Sequence, residues 1–328
     1  MRTADVAVVG AGPAGLSAAI IAARAGARTV LLDEQREVGG QLRYRIAELH
    51  AGPYGTIRAR DLARHLVEEA GAAGVDMHQG AIVWGLFAER TLAIVEGADS
   101  YQLQAEQVVL ATGSTDRPLP FPGGTLPGVF TARAVQILLN LHRVLPGRRF
   151  LVVGGGVEAA EVAEDIALAG GEVVAKAVPD RASSMTAAGT DGVESVMIDG
   201  VQHAADVVVV AVGRQPDPEL ALMAECAAGI AAELGGWMPL RDGRMQSTAP
   251  GVLVCGDVAG ICDVRIALAE GSYAGCSAAA SLGLVDAGTL HRARTAYEAA
   301  ATLRIRIAES MTLAHVQVER AVTEGNVG

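Results

Sequence analysis

The chain has 328 residues, a formal net charge of −11, 51% hydrophobic residues and only 19% charged ones. That balance suits two domains with a large buried core and argues against disorder. It also argues against nucleic acid as a partner, because phosphate binding needs a basic stripe.

The first predicted element is the strand Val6 to Val9, followed by Gly10-Ala11-Gly12-Pro13-Ala14-Gly15 and a helix rich in Ala, Leu and Ile that ends near Gly26. A second strand, Thr29 to Leu32, ends at Asp33 and Glu34, so Asp33 stands 23 residues beyond Gly10. Gly10 permits the tight turn, Gly12 lets a pyrophosphate approach the backbone, and Gly15 lets the helix pack against the strand. The helix start offers free N–H groups and partial positive charge to phosphates. A carboxylate at Asp33 is placed to accept from ribose hydroxyls. Strand, turn, helix, strand and terminal acid in this register predict a Rossmann-type dinucleotide site. No apolar run reaches the ~20 residues of a spanning helix. Val6 to Val9 also runs straight into the glycine turn, without a signal-peptide cleavage region. The expected location is the cytoplasm.

Further along, Gln107 to Gly113 (QVVLATG) and Gly251 to Gly260 (GVLVCGDVAG) are apolar strands ending in tight turns. With them the chain resembles the flavoproteins with two dinucleotide-binding domains, the pyridine nucleotide-disulfide oxidoreductase superfamily. The resemblance implies FAD as the cofactor. It carries over Ala111, Thr112 and Gly113 as the turn closing the FAD domain, and Gly256 and Asp257 as the turn that reaches the ribityl chain. Val264 to Gly271, with Arg265 and Ile266, would be the helix start facing the flavin. Gly39-Gly40-Gln41 resembles a GGQ turn of that superfamily and places Gly40 and Gln41 near the flavin. Pro13, Ala14, Glu34 and Ile82 complete the implied cofactor contacts.

The opening motif repeats 144 residues later: Leu151-Val152-Val153 leads into Gly154-Gly155-Gly156 and an Ala-rich helix to Gly170. In the superfamily this is the NAD(P)H module. Here the acid position holds Ala177, and Lys176 and Arg181 are the only nearby cations. The module is also short, with 59 residues from Gly154 to Gly213 against 103 from Gly10 to Gly113, and what remains includes a β-hairpin, Glu194 to Ile198 with Ala205 to Val212. The expectation is a scaffold remnant in which NAD(P) binding is doubtful, with an active nicotinamide site as the open alternative.

Cys226, Cys255, Cys262 and Cys276 form no CxxC pair and read as buried thiols, not as disulfides, iron–sulfur ligands or other metal ligands. The seven histidines are scattered, and although His50 and His142 are candidates to approach a flavin, no catalytic acid, base or nucleophile is assigned.

Gly80 to Arg90, Leu126 to Phe150 and Leu234 to Ala259 sharpen the resemblance. They are similar to the alpha subunits of heteromeric amine oxidases and dehydrogenases, the group of opine oxidases, sarcosine oxidase, hydrogen cyanide synthase and hydroxyproline dehydrogenase, over roughly residues 4–285. That resemblance implies an FAD-dependent electron-relay subunit working on CH–NH or CH–NH2 donors with a beta subunit resembling D-amino acid oxidase. Residues 286–328 contain no cysteine and read as helical through Leu303, Ile305 and Ile307, then Met311, Leu313, Val316 and Val318. An iron–sulfur cluster is therefore not expected on this chain. Either a small [2Fe–2S] subunit holds one, or electrons leave by another route.

The expected fold is α/β, with a discontinuous Rossmann-like FAD domain at 1–127 plus 240–328 and a reduced, inserted Rossmann-like NAD(P)-type domain at 128–239. A hetero-oligomer without transmembrane segments is expected. Two alternatives stay open: a stand-alone NAD(P)H-dependent reductase of a ferredoxin or quinone, and a non-catalytic nucleotide-binding scaffold.

Overall fold

The computed structural model describes residues 1–178 and 184–309. They form two compact units: residues 1–43, 48–114 and 215 onward in the first, and residues 44–47 and 115–214 in the second. The second unit thus begins and ends earlier than the expected 128–239. Residues 215–239 belong to the first unit because their apolar side chains Leu220, Ala221 and Cys226 sit in its core.

The first unit opens with β1 (Arg2–Val9), α1 (Pro13–Arg24) and β2 (Thr29–Asp33), as the sequence predicts. Then come α2 (Ala59–Ala72), β3 (Asp76–Gln79), β4 (Ala81–Phe87), β5 (Thr91–Glu96) and the long β6 (Asp99–Leu110). β6 pairs in parallel with β1, while its first half also pairs antiparallel with β5, which in turn pairs with β4. Side chains alternate across β1 because successive strand residues face opposite ways. Val6 and Val8 enter the core under α1 and α2, and Ala7 and Val9 enter the one lined by β4, β5 and β6.

The second unit contains β7 (Val129–Thr131), α3 (Ala132–Gln136), β8 (Arg149–Val153), α4 (Gly156–Leu168) and β9 (Glu172–Ala177). It continues with β10 (Met185–Ala188), β11 (Ser195–Ile198), β12 (Val201–Ala204) and β13 (Val207–Val210). The expected hairpin between 194–198 and 205–212 is corrected here. β11 turns through Asp199-Gly200 and pairs with β12, whereas β13 joins the parallel sheet in the order β7-β13-β8-β9. The reason is burial: Val207 to Val210 are covered on both faces, which a parallel-sheet strand tolerates and a hairpin partner does not require. Phe150, Val152, Val207 and Val209 pack under α3 and α4, while Leu151, Val153, Val208 and Val210 pack against the sheet β10-β11-β12.

The chain then returns to the first unit with α5 (Glu219–Met223), the hairpin β14 (Ala228–Ala231) and β15 (Gly236–Pro239), β16 (Val252–Val254), α6 (Val264–Ser281) and α7 (Ala287–Glu309). β16 pairs in parallel with the second half of β6, giving five parallel strands in the order β3-β2-β1-β6-β16. α1 and α6 touch backbone to backbone. A Cβ at Gly271 would sit 2.0 Å from the Ala14 carbonyl oxygen, and one at Gly275 would sit 2.2 Å from that of Ala18. The helical reading of residues 286–309 holds in α7, while Met311 to Val318, His315 and Arg181 lie outside the described residues. No described helix is long and apolar enough to cross a membrane.

Candidate functional site

In a parallel sheet, ligands bind beyond the carboxyl ends of the strands, where the strand order reverses. In the first unit that point lies between β1 and β6. Four turns meet there: Gly10-Ala11-Gly12 after β1, Asp33 at the end of β2, Ala111-Thr112-Gly113 after β6, and Gly256-Asp257 after β16.

The first turn is tight. Gly10 has φ +98°, and a Cβ there would lie 2.3 Å from the Ala111 carbonyl oxygen, so only glycine lets β1 and β6 approach. A Cβ at Gly40 would lie 2.8 Å from Gly12 Cα. Gly12 and Gly40 therefore face each other without side chains, a cradle for a group that must touch backbone. α1 starts at Pro13 with no side-chain cap, which leaves N–H groups of its first turn for an outside acceptor. These features fit a diphosphate.

Asp33 does more than await a ribose. Its Oδ2 accepts from the Ala11 N–H at 2.6 Å and its Oδ1 from the Gln35 N–H at 2.8 Å, so the carboxylate ties the glycine turn to β2. Burial raises its pKa, and the two backbone donors oppose that rise. Glu34 is exposed beside it. Ile82 lies near the start of β4 and is 48% exposed.

At the other end, Gln41 Nε2 donates to Asp257 Oδ2 at 2.9 Å and to Ser114 Oγ at 3.2 Å. Ser114 Oγ donates to the same Asp257 oxygen at 2.9 Å, and the Cys262 N–H donates to Asp257 Oδ1 at 3.0 Å. Thr112 Oγ1 donates to the Asp217 carbonyl oxygen at 2.8 Å and so anchors the turn after β6. The structure thus brings Gln41, the ATG turn and Asp257 together. Ser114 is a partner that the motif reading passed over, although it directly follows Gly113.

The start of α6, the helix expected to face the flavin, carries a side-chain cap. Asp263 is its N-cap, and Oδ1 accepts from both Arg265 N–H (2.8 Å) and Ile266 N–H (3.2 Å). The same carboxylate accepts from Arg265 Nε at 2.9 Å, and the Ile266 side chain is buried. A capping Asp therefore satisfies the Arg265 and Ile266 N–H groups. The sequence signal is an Asx residue directly before the helix.

In the second unit, Gly154 repeats the Gly10 geometry: a Cβ would lie 1.8 Å from the Ala211 carbonyl oxygen. α4, like α1, starts after a glycine N-cap without a side-chain cap, and the differences lie beyond it. α4 carries Glu158 in its first turn, half-buried and with its pKa raised by burial, and Glu161 pairs with Arg45. Val178 lies 3.6 Å from the position a Gly155 Cβ would take. The acid position is Ala177, the last residue of β9.

His50 and His142 are exposed, His65 pairs with Glu69, and His78 pairs with Glu96. Cys226, Cys255 and Cys276 are buried and Cys262 is half-buried. Among the described residues no group of three or more His, Cys, Asp or Glu is placed to hold a metal ion.

Similar proteins are known. The model of the family described as pyridine nucleotide-disulphide oxidoreductase matches residues 4–185 and 174–280. The opine oxidase A-type subunit of Agrobacterium tumefaciens (strain Ach5) is 30% identical, covering 87% of this chain and 67% of that protein. The alpha subunit of sarcosine oxidase from Corynebacterium sp. (strain P-1) is 31% identical over 85% of this chain but only 33% of its own length. The chain thus spans between a third and two thirds of these relatives. The crystal structure of L-proline dehydrogenase from P. horikoshii superimposes with a TM-score of 0.77 at 24% identity, covering 86% of this chain and 56% of that one, which shows a shared fold. With the glycine turns, the four converging strand ends and these matches in hand, the chain belongs to the pyridine nucleotide-disulphide oxidoreductase family, a flavin-dependent family of oxidoreductases.

Proposed function

We propose that this chain is the FAD-binding, electron-relay subunit of a heteromeric dehydrogenase or oxidase that works on a small amino acid, imino acid or opine. The observation that carries the reading is Asp257, held by Gln41, Ser114 and the Cys262 amide after β16, with the uncapped start of α1 following β1 in the same sheet. Gly10, Gly12 and the first turn of α1 would hold the diphosphate, Asp33 the ribose, and Asp257 with Gln41 the ribityl hydroxyls. When bound, FAD supplies reversible acceptance of electrons from a reduced donor. The protein's own part is placement and electrostatics.

The relatives are named as subunits, which supports a hetero-oligomer. The specific partners of this proposal are a beta subunit resembling D-amino acid oxidase, which takes the substrate, and a small [2Fe–2S] chain that takes the electrons onward. The second unit serves as scaffold in this reading, with no nicotinamide as reductant. Ala177 offers no carboxylate to a ribose, and Glu158 is an acid in the first turn of α4.

The test is affinity purification of the chain from its native host, followed by extraction of its ligand. A yellow extract with flavin absorbance and a co-purifying flavoprotein partner are expected. A colourless chain that cannot be loaded with FAD would sink the proposal. The Gly154 turn favours a second reading, a free-standing NAD(P)H-dependent reductase. Rapid bleaching of the flavin by NADH or NADPH in the isolated chain would decide for it.

A further inference from the structure

Glu270 lies two turns into α6 and is fully buried. Arg241, just after β15, is 9% exposed and grips it in two-pronged fashion, with Nη2 to Oε1 at 2.6 Å and Nη1 to Oε2 at 3.0 Å. Nη1 also donates to the Val254 carbonyl oxygen at 3.1 Å, at the end of β16. Burial alone would lower the Arg241 pKa, but the adjoining carboxylate raises it, so the guanidinium keeps its charge.

A buried ion pair is a weak source of stability, because apolar residues of similar volume often do as well. Its geometry is what sets this one apart. Glu270 Oε2 also accepts the Gly256 N–H at 2.9 Å. Gly256 has φ +76°, its missing Cβ would stand 2.7 Å from the Ala14 Cβ, and it immediately precedes Asp257. One carboxylate therefore fastens α6 to the turn that presents Asp257, and one guanidinium fastens that carboxylate to the end of β16.

We infer that Glu270 and Arg241 are positioning residues for the flavin: together they fix the Gly256-Asp257 turn against the start of α1, and so set the spacing between the diphosphate cradle and the carboxylate at the far end. The inference rests on the FAD reading above. Both residues act through Gly256 and Val254.

The experiment compares the full chain with Glu270→Gln and with the double substitution Glu270→Leu, Arg241→Met. Each protein is followed by urea unfolding, by FAD titration and by the midpoint potential of the bound flavin. The double variant loses both charges at once and strands no ion, so its urea midpoint is expected to fall by less than that of Glu270→Gln. With nothing to receive the Gly256 amide, its FAD dissociation constant is expected to rise at least tenfold and its potential to shift. Glu270→Gln keeps an acceptor for that amide but strands the guanidinium, so it is expected to lose stability while holding FAD within about threefold of wild type. A double variant with wild-type affinity and potential overturns the inference, as do losses of stability and affinity that run in parallel across the variants. Wild-type protein that takes up no FAD is a failure of the FAD reading itself, and the first titration shows it before any variant is made.

Discussion

Gln41 and Asp257 are separated by 216 positions, yet the Gln41 amide donates to Asp257 Oδ2 at 2.9 Å. The bond joins the glycine turn that follows β2 to the turn that follows β16, so it ties together segments far apart in the chain. Replacing Gln41 by Leu removes a donor from a carboxylate that is otherwise held by Ser114 and the Cys262 amide. FAD affinity is expected to fall by about 1–3 kcal/mol, the usual loss for an unmatched polar partner. Titration by flavin fluorescence checks this, and unchanged affinity would remove Gln41 from the site.

Asp33→Ala is expected to weaken FAD binding by a similar ~1–3 kcal/mol. A second effect accompanies it, because Asp33 also accepts the Ala11 N–H. The apoprotein is expected to lose thermal stability, which a residue that bound only ribose would leave alone. Calorimetry without flavin separates the two roles.

Gly271→Ala places a Cβ 2.0 Å from the Ala14 carbonyl oxygen and forces α1 and α6 apart. A loss of about 1–3 kcal/mol or more is expected, as for overpacked cores, together with weaker FAD uptake, because Ala14 lies in the first turn of α1. Gly243→Ala, where nothing stands within 4 Å, is the control. Equal urea midpoints for the two variants would contradict the close helix contact.

Asp206 and Arg149 supply a pH dependence in the second unit. Hydrogen bonds from the Arg149 side chain and backbone hold the Asp206 pKa down, from 3.8 to about 2. Its native pKa lies below the unfolded one, so its contribution is complete above 3.8 and is lost as pH falls toward 2. Asp206→Asn is therefore expected to be less stable than wild type at pH 6, with the difference shrinking below pH 4 and vanishing near 2. A stability difference that stays constant across that range would assign the effect to something other than charge.

The first βαβ unit was legible because its signals are local. An apolar strand, a glycine turn, a small-residue helix and a terminal acid stand in one stretch, and β1, α1 and β2 follow it closely. The pairing of β13 was not legible. A run of four valines suits a hairpin strand and a fully buried parallel strand equally, and only the tertiary pairing of β13 with β7 and β8 decides. In the candidate site, Gln41 and Asp257 could be placed from motifs, but Ser114, Glu270 and Arg241 carry no motif. Their roles come from contacts across long sequence separations. The cap of α6 by Asp263 is, by contrast, a plain local signal, an Asx residue directly before a helix.

The unequal cover over the four cysteines has a practical side. Burial first, then the charge of Glu270, pushes the Cys255 thiol up to about 12, and Cys226 and Cys276 are enclosed as well. Only Cys262 stays partly open, with its sulfur 3.6 Å from an Asp257 oxygen. Native alkylation is therefore expected to attach a single probe, and that probe would report from beside Asp257 without any engineered cysteine.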